Sequence, residues 1–284
     1  MKLAVRYFAD FEYAEKASFS PHLARLFPRP DLALVIERSA FTTDEHATVQ
    51  YRQDLFDNLV ANCFYPEKLE LLPFRLELDL EIQEKNPFEF LLDSHAIDLP
   101  FQYKPQEAQV LAPFLIPSQE KLSLPDVLLP TKASPTVEAV TAMNEWLFKN
   151  IRYERRDEGD PFPPEQTLAQ QSGSCRDYAV LLAEVLRRNG IASRLVSGYL
   201  WEDDSEDSPK HAENAFHAWV DAYLPGGGWI GFDPTNGVLC DHYRIATAIG
   251  LAPADIAPIL GHYYGKKTIA STLKTNLTIT KVAP

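Results

Sequence analysis

The strongest constraint on the fold is an alternation of apolar and acidic residues within the run RLELDLEI, residues 75–82. Its apolar members are Leu76, Leu78, Leu80 and Ile82, and acidic residues stand between them. Successive side chains of a β-strand point to opposite faces, so this run predicts a strand with one buried face and one solvated face. Strands of this kind are typical of antiparallel sheets.

Two further runs extend this pattern through the first third of the chain. Apolar side chains occupy the odd positions of LAVRYFADFEY, residues 3–13, and Leu32, Leu34 and Ile36 alternate with other residues in LALVIERS. The turn-like segments FPRPD and KNPFE separate some of the runs. We therefore predict an antiparallel β-domain over residues 1–115.

The middle of the chain has the periodicity of helices instead. Residues 104–135 are rich in proline and are interpreted as a connection, after which SPTVEAVTAMNEWLFKN predicts a helix. A second helix is predicted to begin at Cys175, which shares one face with Ala179, Leu182 and Leu186. This second helix ends at the glycine of RRNG, because glycine is a common helix terminator.

Three strand-like runs follow that helix, namely SRLVSGYL, AFHAWVDAYL and GWIGFDPTNG. Helices followed by consecutive strands indicate an α+β fold. We predict a second domain over residues 116–284, with its core at about residues 135–245. The strand-like run TNLTITKV, residues 275–282, is interpreted as a C-terminal extension of this domain.

The charge balance argues against some classes of partner. The chain of 284 residues has a formal net charge of −13, which repels phosphate backbones and anionic lipids. No apolar run reaches the roughly 18 residues of a membrane span, and no apolar export core is found near the first residue. The three cysteines form no C-x-x-C pair, which fits a reducing compartment. We expect a cytoplasmic protein that binds neither nucleic acid nor membranes.

Three polar residues of these elements form a candidate catalytic set. Cys175 starts a helix, where the partial positive charge of the N-terminus favours the thiolate, the reactive form of cysteine. His217 lies within a strand and could take up and return a proton. Asp233 ends the next strand, and two adjacent antiparallel strands would bring it beside His217 to orient the ring.

Each of these residues also has a structural interpretation when taken alone. Cys175 could be a small packing residue, His217 a satisfied core histidine, and Asp233 a turn former before proline. A metal site made of all three would lack the short ligand pairs that are typical of zinc sites. The acidic stretch at residues 202–207 lacks the spacing of a calcium loop and is interpreted as a solvated loop. We predict no metal and no cofactor.

Three motifs, in this order, resemble those of the bacterial transglutaminase-like superfamily. They are Gly173-Ser174-Cys175 at a helix start, His217-Ala218-Trp219 in a strand, and Phe232-Asp233-Pro234-Thr235-Asn236 at a strand end. The resemblance is strong over about residues 135–245 and extends more weakly to HLARLFPRP and YRQDLFDN in the N-terminal region. It implies a papain-like catalytic core with Cys175 as nucleophile, His217 as base and Asp233 as the orienting carboxylate.

The resemblance also implies a class of reaction. It points to thiol-dependent acyl transfer through a Cys thioester, with a peptide or protein amide as the substrate. We predict hydrolysis, as by a cysteine protease or amidase, in preference to transfer to an amine. The alternative is a transglutaminase fold that serves as a non-catalytic binding or scaffold module. A second oxyanion donor stays unassigned, although the aromatic residues Trp146 and Tyr153 lie upstream of Cys175.

Overall fold

The computed structural model describes residues 1–119, 121–130, 132–156, 159–201, 215–265 and 268–282. Within these residues it has four α-helices, which are α1 (Pro105–Leu111), α2 (Thr136–Asn150), α3 (Pro164–Gln170) and α4 (Cys175–Arg188). Short 3-10 helices lie at Ser94–Ala96, Ala112–Leu115, Asp126–Leu128 and Pro253–Asp255. The acidic stretch at residues 202–207 lies outside the described residues.

The strands of the described residues fall into two series. The first series is β1 (Lys2–Phe19), β2 (His22–Ala24), β3 (Leu34–Thr42), β4 (Thr48–Gln53), β5 (Leu59–Phe64), β6 (Leu69–Ile82), β7 (Asp98–Leu99), β8 (Ser134–Pro135) and β9 (Arg152–Tyr153). The second series is β10 (Ser172–Gly173), β11 (Ser193–Leu200), β12 (Ala215–Leu224), β13 (Gly228–Asp233), β14 (Val238–Leu239), β15 (Arg244–Gly250), β16 (Ile259–Leu260), β17 (Tyr263–Tyr264) and β18 (Ser271–Val282).

The N-terminal region contains two antiparallel sheets that share one core. The first has the order β17-β1-β6-β3, with β18 paired to β1, and the second has the order β16-β2-β5-β4. The alternating side chains of β6 are at most 3% exposed; they are Leu76, Leu78, Leu80 and Ile82. They pack in one cluster with residues of β2 and β5. The alternation thus forms the buried face that the sequence predicted.

The run LALVIERS forms a strand, but its alternation does not produce a buried face. Strand β3 begins at Leu34 and most of its side chains are exposed, including Ile36 at 40%. Leu32 precedes the strand and is fully exposed. The prediction of a half-buried face was therefore wrong for this run. The physical reason is position, because β3 is the outer strand of its sheet and packs little against the core.

The C-terminal strand belongs to the N-terminal sheet. Strand β18 pairs with β1 in antiparallel register, from Ser271 opposite Tyr13 to Val282 opposite Lys2. Strands β16 and β17 also pair with strands of the N-terminal region. The sequence assigned these residues to the second domain as an extension, whereas their pairing attaches them to the sheets of the first.

A third antiparallel sheet, of order β14-β13-β12-β11-β15, carries the candidate site. Helix α4 packs against β11 and β12, with Val185 and Leu186 in one buried cluster with Val220 and Ala222. Helix α2 packs beside α4 and against β14. This combination of helices with antiparallel sheets confirms the predicted α+β class. None of the described helices is long and apolar enough to span a membrane.

The two regions are in direct contact. Tyr7 of β1 packs edge-on against Phe216 of β12, with ring centroids 5.0 Å apart. Asn58 donates to the carbonyl oxygen of Ile249 at 2.8 Å and accepts from the Ile249 N–H at 2.9 Å. The N-terminal region therefore supports the strand that contains His217, because Phe216 immediately precedes that residue.

Candidate active site

The first turn of α4 is organised by the buried carboxylate of Asp177. Its Oδ2 accepts hydrogen bonds from the Ser174 N–H at 2.7 Å and the Ser174 hydroxyl at 2.9 Å. Its Oδ1 accepts from the Arg156 guanidinium and from the Phe162 N–H, each at 2.6 Å. Asp177 has no exposed surface, so its carboxylate is fully occupied by these donors. The helix start is thereby fixed to the loop that precedes it.

Gly173 allows the chain to pass close to this carboxylate. A Cβ atom at residue 173 would lie 2.8 Å from the Asp177 Cβ, closer than side-chain carbons approach one another. The short strand β10, which contains Gly173, pairs in parallel with β9 and sets Tyr153 opposite Gly173. The motif Gly-Ser-Cys therefore has a structural cause, since only glycine fits at its first position.

Cys175 is the first residue of α4 and is partly exposed. The first N–H groups of a helix have no acceptor within the helix, so the Cys175 N–H is available for a substrate oxygen. The same position exposes the thiol to the partial positive charge of the helix N-terminus. Cys175 thus combines partial exposure with a position at a helix N-terminus.

His217 and Asp233 form a buried hydrogen-bonded pair. Nε2 of His217 lies 3.0 Å from Oδ2 of Asp233, and neither side chain has exposed surface. The other ring nitrogen, Nδ1, is buried and makes no hydrogen bond of standard geometry within the described residues. The Cys175 thiol is close enough to the ring to affect its protonation. The structure thus brings together all three residues that the sequence singled out.

The protonation of His217 is set by its two neighbours. Burial opposes the charged ring, but the charge and hydrogen bond of Asp233, together with Cys175, outweigh burial and raise the pKa of His217 to about 10. A ring with this pKa is protonated at neutral pH. An imidazolium next to a cysteine is the arrangement that stabilises a thiolate.

Asp233 has partners that the sequence analysis missed. Its Oδ2 also accepts from Arg244 Nε at 2.8 Å and from Asn236 Nδ2 at 2.9 Å, and its Oδ1 accepts from the Thr235 N–H at 3.0 Å. Burial would raise the pKa of Asp233, but the charges and hydrogen bonds of His217, Arg244 and Asn236 hold it well below its usual range. Asn236 lies in the Phe-Asp-Pro-Thr-Asn motif, whereas no local pattern marks Arg244.

The other two cysteines are in environments that favour the thiol. Cys63 in β5 is fully buried, and burial raises its pKa to about 11. Burial likewise raises the pKa of Cys240 well above its usual range, and the nearby Arg244 only partly offsets this. No cluster of three or more metal-ligating side chains occurs in the part of the chain that the structure describes.

Comparison with known proteins gives two family matches. Residues 128–234 match the transglutaminase-like superfamily, and residues 3–81 match the bacterial transglutaminase-like N-terminal region. The first match contains Cys175, His217 and Asp233. A crystal structure of a candidate cysteine protease from Cytophaga hutchinsonii superposes with a TM-score of 0.72 at 20% identity, covering 100% of this chain and 93% of that one. At this identity the superposition shows a shared fold.

Sequence relatives match over shorter stretches. An uncharacterised protein of Mycobacterium leprae is 35% identical over 146 residues, which is 51% of this chain and 51% of the relative. A protein-glutamine gamma-glutamyltransferase of Pseudomonas aeruginosa is 41% identical over 71 residues, which is 23% of this chain and 10% of the relative. The chain thus spans about half the length, or less, of these curated relatives.

Proposed function

The chain belongs to the bacterial transglutaminase-like superfamily, and from this premise we propose that it transfers the acyl group of an amide substrate to the thiol of Cys175 and then to water. The observation that carries the proposal is the buried contact between His217 and Asp233, with the thiol of Cys175 beside the same ring. These are the positions required of a nucleophile, an acid–base group and an orienting carboxylate.

The acylation step uses the proton held by His217. The thiolate sulfur of Cys175 attacks the amide carbon, and the carbonyl electron pair moves to the oxygen. When that pair returns, the C–N bond breaks and the imidazolium of His217 gives its proton to the leaving nitrogen. The products are a thioester on Cys175, a free amine or ammonia, and a neutral His217 ring.

The deacylation step reverses the proton transfer. A water molecule attacks the thioester carbon, while His217 takes one proton from that water. The C–S bond then breaks, which releases the carboxylic acid and restores the thiolate beside the imidazolium. Asp233 stays ionised throughout, because its neighbours hold its pKa well below neutrality, and it keeps the ring in one orientation.

The Cys175 N–H is our first candidate for binding the oxyanion in both steps. A helix N-terminus supplies such a donor without reorganisation, and this kind of stabilisation is a large term in catalysis. Tyr153 is the second candidate. It lies opposite Gly173 in the pairing of β9 with β10, and Gly173 is two residues before the nucleophile. We prefer Tyr153 to Trp146, because Tyr153 pairs with the short strand that leads into Cys175, whereas Trp146 lies in α2.

Water is our preferred acceptor, and an amine is the second candidate. The relation to a protein-glutamine gamma-glutamyltransferase supports transfer from a glutamine side chain to an amine, but it covers 71 residues only. A peptide or protein amide is the proposed substrate, and the cytoplasm is the proposed compartment. A scaffold role is disfavoured, because packing alone does not require a thiol, an imidazole and a carboxylate to meet in one buried network.

Incubation with glutamine-containing peptides, with and without an added primary amine, tests the proposal. Mass spectrometry distinguishes the free acid, the cleaved peptide and the amine adduct. We expect acid or cleaved peptide as the main product in both incubations, and no product from Cys175→Ala. The variant Cys240→Ala is the matched control and should retain turnover, since its sulfur lies outside the proposed mechanism.

The size of each effect separates loss of chemistry from loss of fold. Removal of the Cys175 sulfur should cost about 1 kcal/mol of unfolding free energy, as for a methyl-sized deletion. Loss of the nucleophile should raise the barrier by more than about 4 kcal/mol, which corresponds to a rate loss of about a thousandfold or more. Turnover by Cys175→Ala at the wild-type rate would contradict the proposed mechanism.

A further inference from the structure

The carboxylate of Asp233 is shared between two positive groups. His217 and Arg244 both donate to the same oxygen, Oδ2, at 3.0 and 2.8 Å. The Arg244 side chain is only 7% exposed, so solvent screens this contact weakly. The proposed mechanism uses the His217 contact alone and gives no role to the second cation.

Arg244 reaches Asp233 from a distant element of the same sheet. It is the first residue of β15, at one edge of the sheet, whereas Asp233 ends β13 near the other edge. Its NH1 group also donates to Asp241, at 3.2 Å. The guanidinium is thus held by two carboxylates, and this planar, two-point contact fixes where its charge lies.

We propose that Arg244 is a positioning residue of the catalytic set, which holds Asp233 in place and takes up part of its charge, so that the His217 ring releases its proton more readily. This inference rests on the proposed function, since it concerns the acid–base group of the same site. A carboxylate paired with His217 alone would hold the imidazolium more tightly and would impede donation to the leaving nitrogen.

The charged and titratable groups around the pair of His217 and Asp233 come from three elements and one connecting segment. Cys175 begins α4, Asp233 ends β13, Arg244 begins β15, and Cys240 and Asp241 lie in the segment before β15. Of these groups within the described residues, Arg244 is the one with a permanent positive charge. Removal of Arg244 therefore leaves the negative charge of Asp233 to His217 alone, and His217 should hold its proton more tightly.

The experiment measures the titration of His217 by NMR in protein labelled at the histidine rings. The chain has seven histidines, so the His217→Gln variant assigns the signal. We expect Arg244→Gln to raise the His217 midpoint by about one pH unit, a typical effect of removing one neighbouring charge. Arg244→Lys keeps a charge without the two-point contact, so its midpoint should lie between those of wild type and Arg244→Gln.

Arg194 offers a matched control. Arg194 and Arg244 line the same cavity of about 200 Å³ between the N-terminal region and the catalytic sheet. Arg194 also pairs with a carboxylate, that of Asp221, at 2.9 Å. Arg194→Gln therefore removes a similar ion pair without touching Asp233, and it should leave the His217 midpoint at the wild-type value.

Each outcome decides the inference. A midpoint in folded Arg244→Gln at or below that of wild type would overturn it. If Arg244→Gln does not fold, the His217 midpoint in Arg244→Lys decides. A midpoint above that of wild type supports the inference, and one at or below that of wild type overturns it. An elevated wild-type midpoint that Arg244→Gln leaves unchanged contradicts the role of Arg244 alone. A wild-type midpoint near 6.5, with Cys175 no more reactive than Cys240, overturns the proposed function and this inference together.

Discussion

Nε2 of His217 and Oδ2 of Asp233 lie 3.0 Å apart in a region without exposed side-chain surface. In a surface ion pair, each group can replace its partner with water. A buried carboxylate and imidazole at this distance have no such alternative. Their protonation states are therefore linked to the fold and to each other.

Replacement of Asp233 by asparagine should impair the reaction, while the similar size of the two side chains should largely preserve the fold. Asn lacks the charge that holds the imidazolium, so the pKa of His217 should fall and the ring should lose its fixed orientation. We expect turnover to fall by about two to four orders of magnitude, as for a comparable change in a Ser-His-Asp triad. Steady-state kinetics on a peptide amide substrate measures this loss.

Asp221→Asn is the control for that substitution. Asp221 is also a mostly buried, ion-paired carboxylate of the same sheet, but its partner is Arg194. The Asp221→Asn variant should lose stability without a comparable loss of turnover. Equal losses of turnover in the two variants would show that Asp233 acts through general stability and not through His217.

The three cysteines should differ in their rates of alkylation. Cys175 is partly exposed, begins a helix and faces an imidazolium, so it should react first with iodoacetamide near pH 7. Cys240 and Cys63 should react more slowly because burial raises the pKa of each thiol. Peptide mapping by mass spectrometry at a series of times gives the three rates, and equal rates would mean that Cys175 is not activated.

Stability should depend on pH through His217. The pKa of the ring is about 10 in the folded protein and about 6.5 in the unfolded chain. Below about pH 6.5 both states hold the proton and the stabilisation is complete. Between about 6.5 and 10 the folded state holds more protons than the unfolded state, so the free energy of unfolding falls as the pH rises.

Urea unfolding at a series of pH values tests this dependence. The wild type should lose stability across that window, and His217→Gln should lose the component that this ring contributes. Other groups that titrate in the same range are common to both proteins, so the difference between the two curves isolates His217. Parallel curves from pH 6 to 10 would contradict the elevated pKa.

Asp177→Asn should destabilise the start of α4. In the wild type, Ser174 and Arg156 are among the donors to the Asp177 carboxylate. The amide of Asn would turn its own N–H groups towards some of these donors. Asn keeps one acceptor oxygen, so either the Ser174 donors or the Arg156 and Phe162 donors lose their acceptor, which should cost about 1–3 kcal/mol of unfolding free energy. Asp255→Asn is the matched control, because Asp255 also accepts two backbone N–H groups but is partly exposed. The Asp255→Asn variant should lose less than half as much unfolding free energy as Asp177→Asn.

The sequence predicted those features whose cause is local. Alternation in residues 75–82 follows from the two faces of a strand, and the helix that starts at Cys175 follows from the spacing of its apolar residues on one face. The order of the three motifs was enough to pair His217 with Asp233. In each case the residues concerned lie within one element or in adjacent strands.

Features that depend on distant parts of the chain were not predictable in this way. Arg244 contacts Asp233 from the far edge of the sheet, and nothing in the run DHYRIATAIG distinguishes it from a surface arginine. The alternation in LALVIERS has the right period, but periodicity does not reveal that β3 is an outer strand. Short helices such as α1 within the proline-rich connection also lack a clear apolar stripe.

The pairing of β18 with β1 also constrains how the molecule is made. Strand β1 precedes the whole catalytic sheet in the chain, and its partner β18 is synthesised only after that sheet. Until then β1 presents a row of unpaired backbone groups over residues 2–13, which is a template for association with other chains. Nascent protein should therefore need protection during synthesis, and completion of β18 closes the sheet that supports the candidate active site.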